Sequence, residues 1–233
     1  NGVKTDSATD MSCMFQGCTS LASIDLATFN TSKVTSMWRM FWNCSSLASL
    51  DLSSLDISSV RSMTSMLSGC SALTAIDLSG LDTSSVTDIR EMFSNCASLV
   101  SVNMSGLDMS SVTEMSSLFS GCTTLRSVDF SSSDISNVKD MSYLFNGHNE
   151  LESISLSNAD ISGVTNMYCM FGNCPALPSI DLSNLDMSSV TNVDRMFYKC
   201  TSLASVNMAG LDMSSVTNID GMFSECAALE TAN

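Results

Sequence analysis

The residues most able to do chemistry are the cysteines, which recur at a fixed interval. Eight of the ten cysteines share one register of a 26-residue repeat, because neighbouring members are 26 residues or twice 26 residues apart. They are Cys18, Cys44, Cys70, Cys96, Cys122, Cys174, Cys200 and Cys226. The vacant place in this series holds His148, the only histidine of the chain. Thiols and an imidazole in register suggest two kinds of chemistry, namely disulfide formation and zinc binding.

Buried free thiols are favoured over disulfides along this cysteine ladder. The ladder position closes an apolar segment, where a free cysteine packs as a small hydrophobic residue. The alternative is a disulfide between neighbouring units, whose Cα atoms would have to approach within about 4.4–6.8 Å. Cys13 and Cys169 lie off the ladder, each shortly before a ladder cysteine, Cys18 or Cys174. These four cysteines are the disulfide candidates.

Zinc at the ladder is not expected. Cys122, His148 and Cys174 lie on successive units, so the outer two should be about 10 Å apart. Bonds of about 2.0–2.3 Å around one tetrahedral ion cannot span that separation. No Ser/His/Asp set, phosphate-binding loop or acid/base pair accompanies the histidine, so we predict neither a metal, nor a cofactor, nor an enzyme.

A second ladder is acidic and lies in the predicted strands. Its candidate ligand-binding residues are Asp25, Asp51, Asp77, Asp129 and Asp181, with Asn103, Ser155 and Asn207 at the intervening places and serines, including Ser131 and Ser157, on either side. Like charges about 5 Å apart repel, which favours protonation, calcium or a cationic ligand. The alternative is a solvated polar face. A further ladder, from Asp56 to Asp212, is expected to bond backbone N–H groups of a turn.

Trp38 and Trp42 form the third candidate site. They lie close together in one unit, at positions that hold polar residues in most other units. An exposed tryptophan pair suits contact with a protein partner. The alternative is local packing against the incomplete first unit.

Composition excludes several classes of partner. The formal net charge is −15 with nine Lys and Arg residues, which argues against nucleic acid and anionic membrane surfaces. No apolar run approaches the roughly 18–20 residues needed to span a membrane, so membrane insertion is not expected. Cationic partners, glycans and divalent cations are compatible with the charge. Alternatively, the acidity serves only to keep a long protein soluble.

Each unit should consist of a short strand and a short helix. Ile24 and Leu26 alternate with polar residues, which is the period of a strand. Val34, Met37, Met40 and Cys44 follow at helical spacing, with Ser32 as the predicted N-cap of that helix. Parallel strands about 4.8 Å apart would be narrower than the helices, so we expect the strands on the concave side of a curved stack.

The fold expected is therefore an α/β repeat solenoid over residues 1–233 as a single domain. Residues 1–17 form a helical half-unit, residues 18–225 eight full repeats, and residues 226–233 the start of a ninth. The weakest part of the core should lie between Ser133 and Ala159, where small residues replace leucine. The two half-finished ends suggest either a fragment of a longer solenoid or subunits that stack head to tail into filaments.

The full unit, with L-D-x-S-S-V-T-x-M-x-x-M-F-x-x-C, resembles the BspA-like leucine-rich-repeat surface proteins, in particular those with the mycoplasma lipoprotein-type repeat. The resemblance covers residues 3–229. It implies a non-enzymatic module for adhesion or protein interaction, located extracellularly or on the cell surface. The partner would be a protein or a glycan, or another copy of the chain. Calcium-dependent binding by the aspartate ladder is the remaining alternative.

Overall fold

The structure, a computed structural model, describes residues 3–130, 133–156 and 159–233. Ser131 and Ser157, expected beside the aspartate ladder, lie outside the described residues. Paired residues throughout the fold occupy the same repeat position in neighbouring units, as in Ala75 with Ser101 and Ser127 with Ser153. The chain is thus a stack of parallel repeat units, and each unit contacts its neighbours through backbone ladders on two sides.

One side of the stack carries seven short strands. They are β1 (Ala75–Asp77), β2 (Ser101–Asn103), β3 (Ser127–Asp129), β4 (Ser153–Ser155), β5 (Ser179–Asp181), β6 (Ser205–Asn207) and β7 (Thr231–Ala232). All pairing is parallel, in the sheets β1–β2, β3–β4 and β5–β6–β7. The strand prediction is correct from Ala75 onward. Among the described residues, 24–26 and 50–52 form no strand.

Alternation along the strands follows from burial on one face only. In β1 the side chain of Ile76 is buried, whereas Ala75 and Asp77 are exposed. In β3 the side chain of Val128 is likewise buried between the exposed Ser127 and Asp129. The apolar residue of each strand packs into the core, and the polar residues on either side form the outer strand face.

The predicted helices are absent, since the described residues contain turns where helices were expected. The turn segment, residues 37–44 and its equivalents in the other units, is a run of consecutive turns. Met40 and Cys44 donate their N–H groups three residues back, to the carbonyl oxygens of Met37 and Phe41. An α-helix would require bonds to the fourth residue back along the whole segment. The expected capping by Ser32 therefore has no helix to act on.

Neighbouring units take the hydrogen bonds that a helix would have kept to itself. Met37, Arg39, Phe41 and Asn43 donate their N–H groups to carbonyl oxygens of the next unit at 2.8–3.0 Å. Their acceptors are Ser62, Thr64, Met66 and Ser68. Alternate N–H groups thus point along the stack, so every turn segment is bonded to the following one. Stacking satisfies the backbone that an isolated run of turns would leave open to water.

Two left-handed residues in each turn segment prevent a helix. Arg39 and Asn43 have φ of 54° and 58°. The equivalents of Arg39 with positive φ are Cys13, Ser65, Glu91, Ser117, Tyr143, Cys169, Arg195 and Gly221. A left-handed residue at the third position of a turn is what type II turns require. At the position of Asn43 most units hold Gly or Asn, the residue types that adopt a left-handed backbone most readily.

The core runs through the middle of the stack without a break. Leu47, Leu73, Leu99 and Leu125 are fully buried. Phenylalanines stack from unit to unit with near-parallel rings, and the centroids of Phe145 and Phe171 are 5.6 Å apart. The remaining stacked pairs are Phe15–Phe41, Phe93–Phe119, Phe119–Phe145, Phe171–Phe197 and Phe197–Phe223. Each added unit buries the apolar surface of the one before it, which is the source of stability in a repeat fold.

The two sides of the stack differ in continuity. A parallel bridge ladder beside the turn segments links all nine units, from Asp10 to Asn218. On the strand side, β2 does not pair with β3, and β4 does not pair with β5. The prediction that strands lie on the concave side depended on wide helices opposite them. Since the described chain has none, that argument fails. The described strand ladder is interrupted at these two places, whereas the bridge ladder is not. No helix able to cross a membrane occurs in the part of the chain described.

Candidate interaction site

The outward positions of the turn segments lie on one side of the stack, which we call the turn face. It comprises residues 38, 39 and 42 and their equivalents in the other repeat units. Exposed side chains on this face are interrupted by buried ones such as Ser65, Ser68 and Ser94. All the tryptophans and tyrosines of the chain, two and three in number, fall at these positions. They are Trp38, Trp42, Tyr143, Tyr168 and Tyr198. The apolar residues between them, at positions such as Met37, Met40 and Phe41, are fully buried.

Trp38 and Trp42 are joined by the arginine between them. The guanidinium carbon of Arg39 lies 4.8 Å from the ring centroid of Trp38 and 5.3 Å from that of Trp42. Trp38 is 41% exposed, and Trp42 is half-buried. The backbone of both tryptophans binds the first unit, because their carbonyl oxygens accept from Cys13 and Gly17. Their side chains nevertheless form a surface cluster with Arg39, and that cluster is the N-terminal part of the turn face.

The tyrosines form a second cluster further along the same face. Tyr143 and Tyr168 are in edge-to-face contact, with ring centroids 5.0 Å apart. Arg195 donates from Nη1 to the Tyr168 hydroxyl at 3.2 Å, and this bond raises the pKa of Arg195. Lys199 lies over the ring of Tyr198 at 5.0 Å. Both clusters therefore combine aromatic rings with cations.

The strand-face aspartates are exposed, as predicted, but their carboxylates are engaged in turns. Asp51, Asp77 and Asp181 each accept the N–H group two residues ahead, at 2.9 Å. Asp25 accepts that of Ala27 at 2.9 Å. Asp129 lies at the same position of β3. A bond to a turn is the role that the sequence had given only to the other aspartate ladder.

The pKa values of Asp51, Asp77 and Asp181 move in the direction opposite to the expected one. Hydrogen bonds from Ser53, Ser79 and Ser183 lower the pKa of Asp51, Asp77 and Asp181. For Asp77, the charge of Asp51 is the smallest of the influences. The prediction that mutual repulsion would favour protonation is thus wrong, because each carboxylate is stabilised by its own turn.

The ladder from Asp56 to Asp212 has the role predicted for it. Asp108 accepts both the N–H and the hydroxyl of Ser110, at 3.0 and 2.6 Å. Equivalent bonds to the N–H group two residues ahead are made by Asp56, Asp82, Asp134, Asp160, Asp186 and Asp212. A third ladder, at the bridge positions, was not anticipated. In it Asn166 donates to Asp140, and Asn192 to Asn166, both at 3.1 Å.

Two clefts open the strand face where the sheets are interrupted. One, of about 310 Å³, lies between β2 and β3 and is lined by residues that include Val102, Met104 and Val128. The other, of about 290 Å³, lies between β4 and β5 beside Ile154 and Leu185. No group of three or more His, Cys, Asp or Glu side chains in the described ranges is arranged to hold a metal ion.

Six of the eight ladder cysteines are free thiols packed into the core, whereas Cys18 is exposed and Cys226 is half-buried. Cys70, Cys96 and Cys122 are fully buried, and each donates to a carbonyl oxygen 29 residues earlier, at 3.0–3.2 Å. Burial raises the pKa of Cys122 to about 12, so the unreactive thiol is the stable form. His148 takes the vacant place and is also fully buried. Cys70, Cys96, Cys122 and His148 therefore contribute to the core and present no reactive group at the surface.

The four disulfide candidates are unpaired as well. Cys13 and Cys18 are free, the first half-buried and the second exposed. Cys169 and Cys174 are free and buried. Cys169 instead accepts a hydrogen bond from the side-chain amide of Asn146 at 3.3 Å. The left-handed backbone at Cys13 and Cys169 fixes the direction of each off-ladder side chain, and neither forms a bridge to its ladder neighbour.

Comparison with known proteins identifies the family. The family model described as "Mycoplasma protein of unknown function, DUF285" matches residues 9–128 and again residues 119–232. The chain belongs to the DUF285 family. This match confirms the resemblance to BspA-like leucine-rich-repeat proteins with the mycoplasma-type repeat. No curated protein matches the chain.

Solved structures similar to this DUF285 chain include several leucine-rich-repeat proteins. The T. pallidum leucine-rich-repeat protein is 25% identical, with 76% of this chain and 71% of that chain covered and a TM-score of 0.48. A leucine-rich-repeat protein of Bacteroides ovatus is 21% identical, with 94% and 68% covered and a TM-score of 0.37. A leucine-rich cell surface protein of Faecalibacterium prausnitzii is 20% identical, with 99% and 78% covered and a TM-score of 0.35.

Proposed function

We propose that this DUF285 chain is a non-enzymatic interaction module of the cell surface or extracellular space that binds protein partners through its turn face. The observation that carries the proposal is the confinement of every tryptophan and tyrosine to the outward positions of the turn segments. Tryptophan, tyrosine and arginine are the residues that most often dominate the binding energy of protein interfaces. Placing them all on one solvent-facing surface costs solubility unless that surface has a partner.

The strand face is less suited to this role. Its aspartates and serines are committed to turns within their own units, as in the bond from Ser183 to Asp181. If such a carboxylate bound a ligand instead, it would lose a hydrogen bond that stabilises the turn after the strand. For the same reason we do not extend the proposal to calcium.

Absence of catalysis is part of the proposal. The single histidine, His148, is fully buried, so the commonest general base of enzymes is closed off from a substrate in solution. The surface location and the adhesive role follow the family resemblance. A partner with its own aromatic and acidic groups would complement the aromatic-cationic clusters of the turn face.

Solid-phase binding to immobilised extracellular-matrix proteins tests this function. The chain is compared with a turn-face variant in which Trp38, Trp42, Tyr143, Tyr168 and Tyr198 become serine, and with a strand-face variant in which Asp51, Asp77 and Asp181 become serine. The account expects saturable binding that the turn-face variant loses roughly tenfold or more. Binding that is lost only in the strand-face variant, or that a glycan digestion of the matrix abolishes, contradicts it.

A further inference from the structure

Arg39 is the one charged residue on the turn face of the first three units. The other outward positions there hold Ser12, Cys13, Gln16, Trp38, Trp42, Thr64, Ser65 and Ser68. Among the described residues, no carboxylate lies within ion-pair distance of Arg39. Four other cations also lack an ion pair among the described residues, namely Lys4, Lys33, Arg61 and Lys139. Arg39 differs from them because its guanidinium lies against two indole rings.

Arg195 provides the comparison, because it lies at the same repeat position six units later. Both arginines have φ of 54°, so their backbones place the side chains alike. Arg195 donates to the Tyr168 hydroxyl at 3.2 Å and lies 4.0 Å from a carboxylate oxygen of Asp194. At the position of Asp194, the first cluster has Trp38. Arg195 thus has a hydrogen-bond acceptor and an acidic neighbour within the described residues, and Arg39 has neither.

The two indoles hold the Arg39 guanidinium without satisfying its donors. Its Nε is buried and lacks a partner, and its terminal nitrogens make no hydrogen bond within the described chain. Stacking on tryptophan fixes the plane of a guanidinium through cation–π attraction. A planar guanidinium held in place presents paired N–H donors that match the two oxygens of a carboxylate. Because the Arg39 side chain is already ordered, less side-chain entropy is lost when a carboxylate binds.

We propose that the Trp38–Arg39–Trp42 cluster binds a glutamate or aspartate side chain of a protein partner. The carboxylate would bridge the terminal nitrogens of Arg39, and the neighbouring indoles would exclude water and contact the aliphatic part of the acidic residue. This inference rests on the proposed function and specifies the chemistry that one part of the turn face recognises. The acidity of the remaining chain opposes such a partner only at long range, and salt at about 0.15 M screens it beyond roughly 8 Å.

Tryptophan fluorescence tests the proposal directly, because Trp38 and Trp42 are the only tryptophans of the chain. The whole chain is titrated with a blocked hexaglutamate peptide and, separately, with a blocked hexaglutamine peptide in about 0.15 M salt. We expect a saturable change in emission with hexaglutamate and none with hexaglutamine. A wild-type chain that responds to neither peptide, or equally to both, overturns the proposal.

Matched variants assign the effect to Arg39. Arg39→Gln should weaken the hexaglutamate response roughly tenfold or more, and Arg39→Lys should weaken it less. Arg61→Gln should leave it unchanged, because Arg61 is exposed and lies outside the turn face. Equal weakening by Arg61→Gln, no weakening by Arg39→Gln, or stronger binding of a hexaglucuronate oligosaccharide than of the peptide would each refute the assignment. Should Arg39→Gln fail to fold, the contrast between the two peptides on the wild-type chain still decides. Failure here together with turn-face binding to a matrix protein would leave the proposed function intact.

Discussion

His148 donates from Nδ1 to the carbonyl oxygen of Phe145 at 2.8 Å, three residues earlier in its own unit. The cysteines of the same ladder reach back 29 residues instead, and Cys174 donates to that same oxygen at 3.0 Å. Since Nδ1 faces a carbonyl oxygen, it carries the proton, and Nε2 is left as an acceptor. That Nε2 is buried and has no partner. The neutral imidazole is therefore enclosed in the core with one acceptor nitrogen that makes no hydrogen bond to the described residues.

Acid should destabilise the protein through His148. Burial lowers the pKa of this imidazole from 6.5 to about 4. Between these values the unfolded chain binds the proton and the folded chain does not, so the free energy of unfolding falls as the pH is lowered. The total loss is about 3 kcal/mol, measured by urea denaturation at about pH 7.5 and about pH 4.5. The pKa values of Asp51, Asp108 and Asp186 are lowered below 3.8, so their contributions are lost only at a pH below this window.

His148→Cys provides the matched control. It restores the ladder residue, whose thiol can donate to the carbonyl oxygen of Phe119 as its counterparts do in other units. The variant should be more stable than the wild type at neutral pH and should lose the steep dependence between pH 6.5 and pH 4. An unchanged slope in that window would mean that His148 is not the group responsible.

Thiol reactivity should divide the cysteines by burial. Cys18 is exposed and Cys13 half-buried, whereas Cys70, Cys96 and Cys122 are fully buried. Because the thiolate is the reactive form, the buried thiols with raised pKa should resist a maleimide in the native protein. Mass spectrometry after a short reaction should find label at Cys18 and Cys13, and at the buried ladder cysteines Cys70, Cys96 and Cys122 only after unfolding. Labelling of native Cys122 as fast as Cys18 would contradict this packing.

Two glycines separate backbone strain from steric overlap. Gly69 and Gly80 have left-handed φ of 77° and 81°. Alanine at either position incurs the left-handed penalty of roughly 1–2 kcal/mol. At Gly69 the new Cβ would also overlap Oδ1 of Asn43, whereas nothing lies within 4 Å at Gly80. Thermal or urea unfolding should rank Gly69→Ala as less stable than Gly80→Ala by about 1–3 kcal/mol. An equal loss in the two variants would indicate that Asn43 simply moves aside.

Calcium should leave the stability of the protein unchanged. The strand-face carboxylates are held by their own turns, with the pKa values of Asp77 and Asp181 lowered by serine hydrogen bonds. Ligand binding to the native state raises the melting temperature in proportion to affinity and concentration. Melting curves in millimolar calcium and in chelator should therefore superimpose. A rise in melting temperature with calcium that Asp77→Asn reduces would reverse this assignment.

The period and the core were predictable because apolar residues repeat without insertion. Ile76 is buried as the strand alternation requires, and Leu99 is buried like the leucines at the same repeat position in other units. The helix was not predictable, since Met37, Met40 and Cys44 show a spacing that consecutive turns share with a helical face. Both structures advance by three or four residues before returning to the core. The decisive difference is the left-handed backbone of Arg39, and arginine is not a residue type that signals it.

The candidate site was predictable only in part. Two exposed tryptophans at positions that are polar elsewhere marked Trp38 and Trp42. Arg39 was missed because nothing in the sequence signals the left-handed backbone that carries its guanidinium to both rings. The tyrosines were missed because they lie in three different units and at three different repeat positions, 38, 39 and 42. The bonds that occupy the strand-face aspartates depend on turn geometry and leave no signal distinct from that of a ligand-binding carboxylate.

Oxidative footprinting of the chain bound to a matrix protein tests the central claim most directly. Hydroxyl radicals modify exposed aromatic side chains and, more slowly, exposed aliphatic ones, and mass spectrometry measures the rate at each residue with and without the partner. The account predicts protection of Trp38 and Tyr143, which are 41% and 38% exposed in the free chain. Val100, beside β2 and 57% exposed, should react equally in both states. Protection of Val100 with unchanged rates at Trp38 and Tyr143 would place the partner on the strand face and contradict the account.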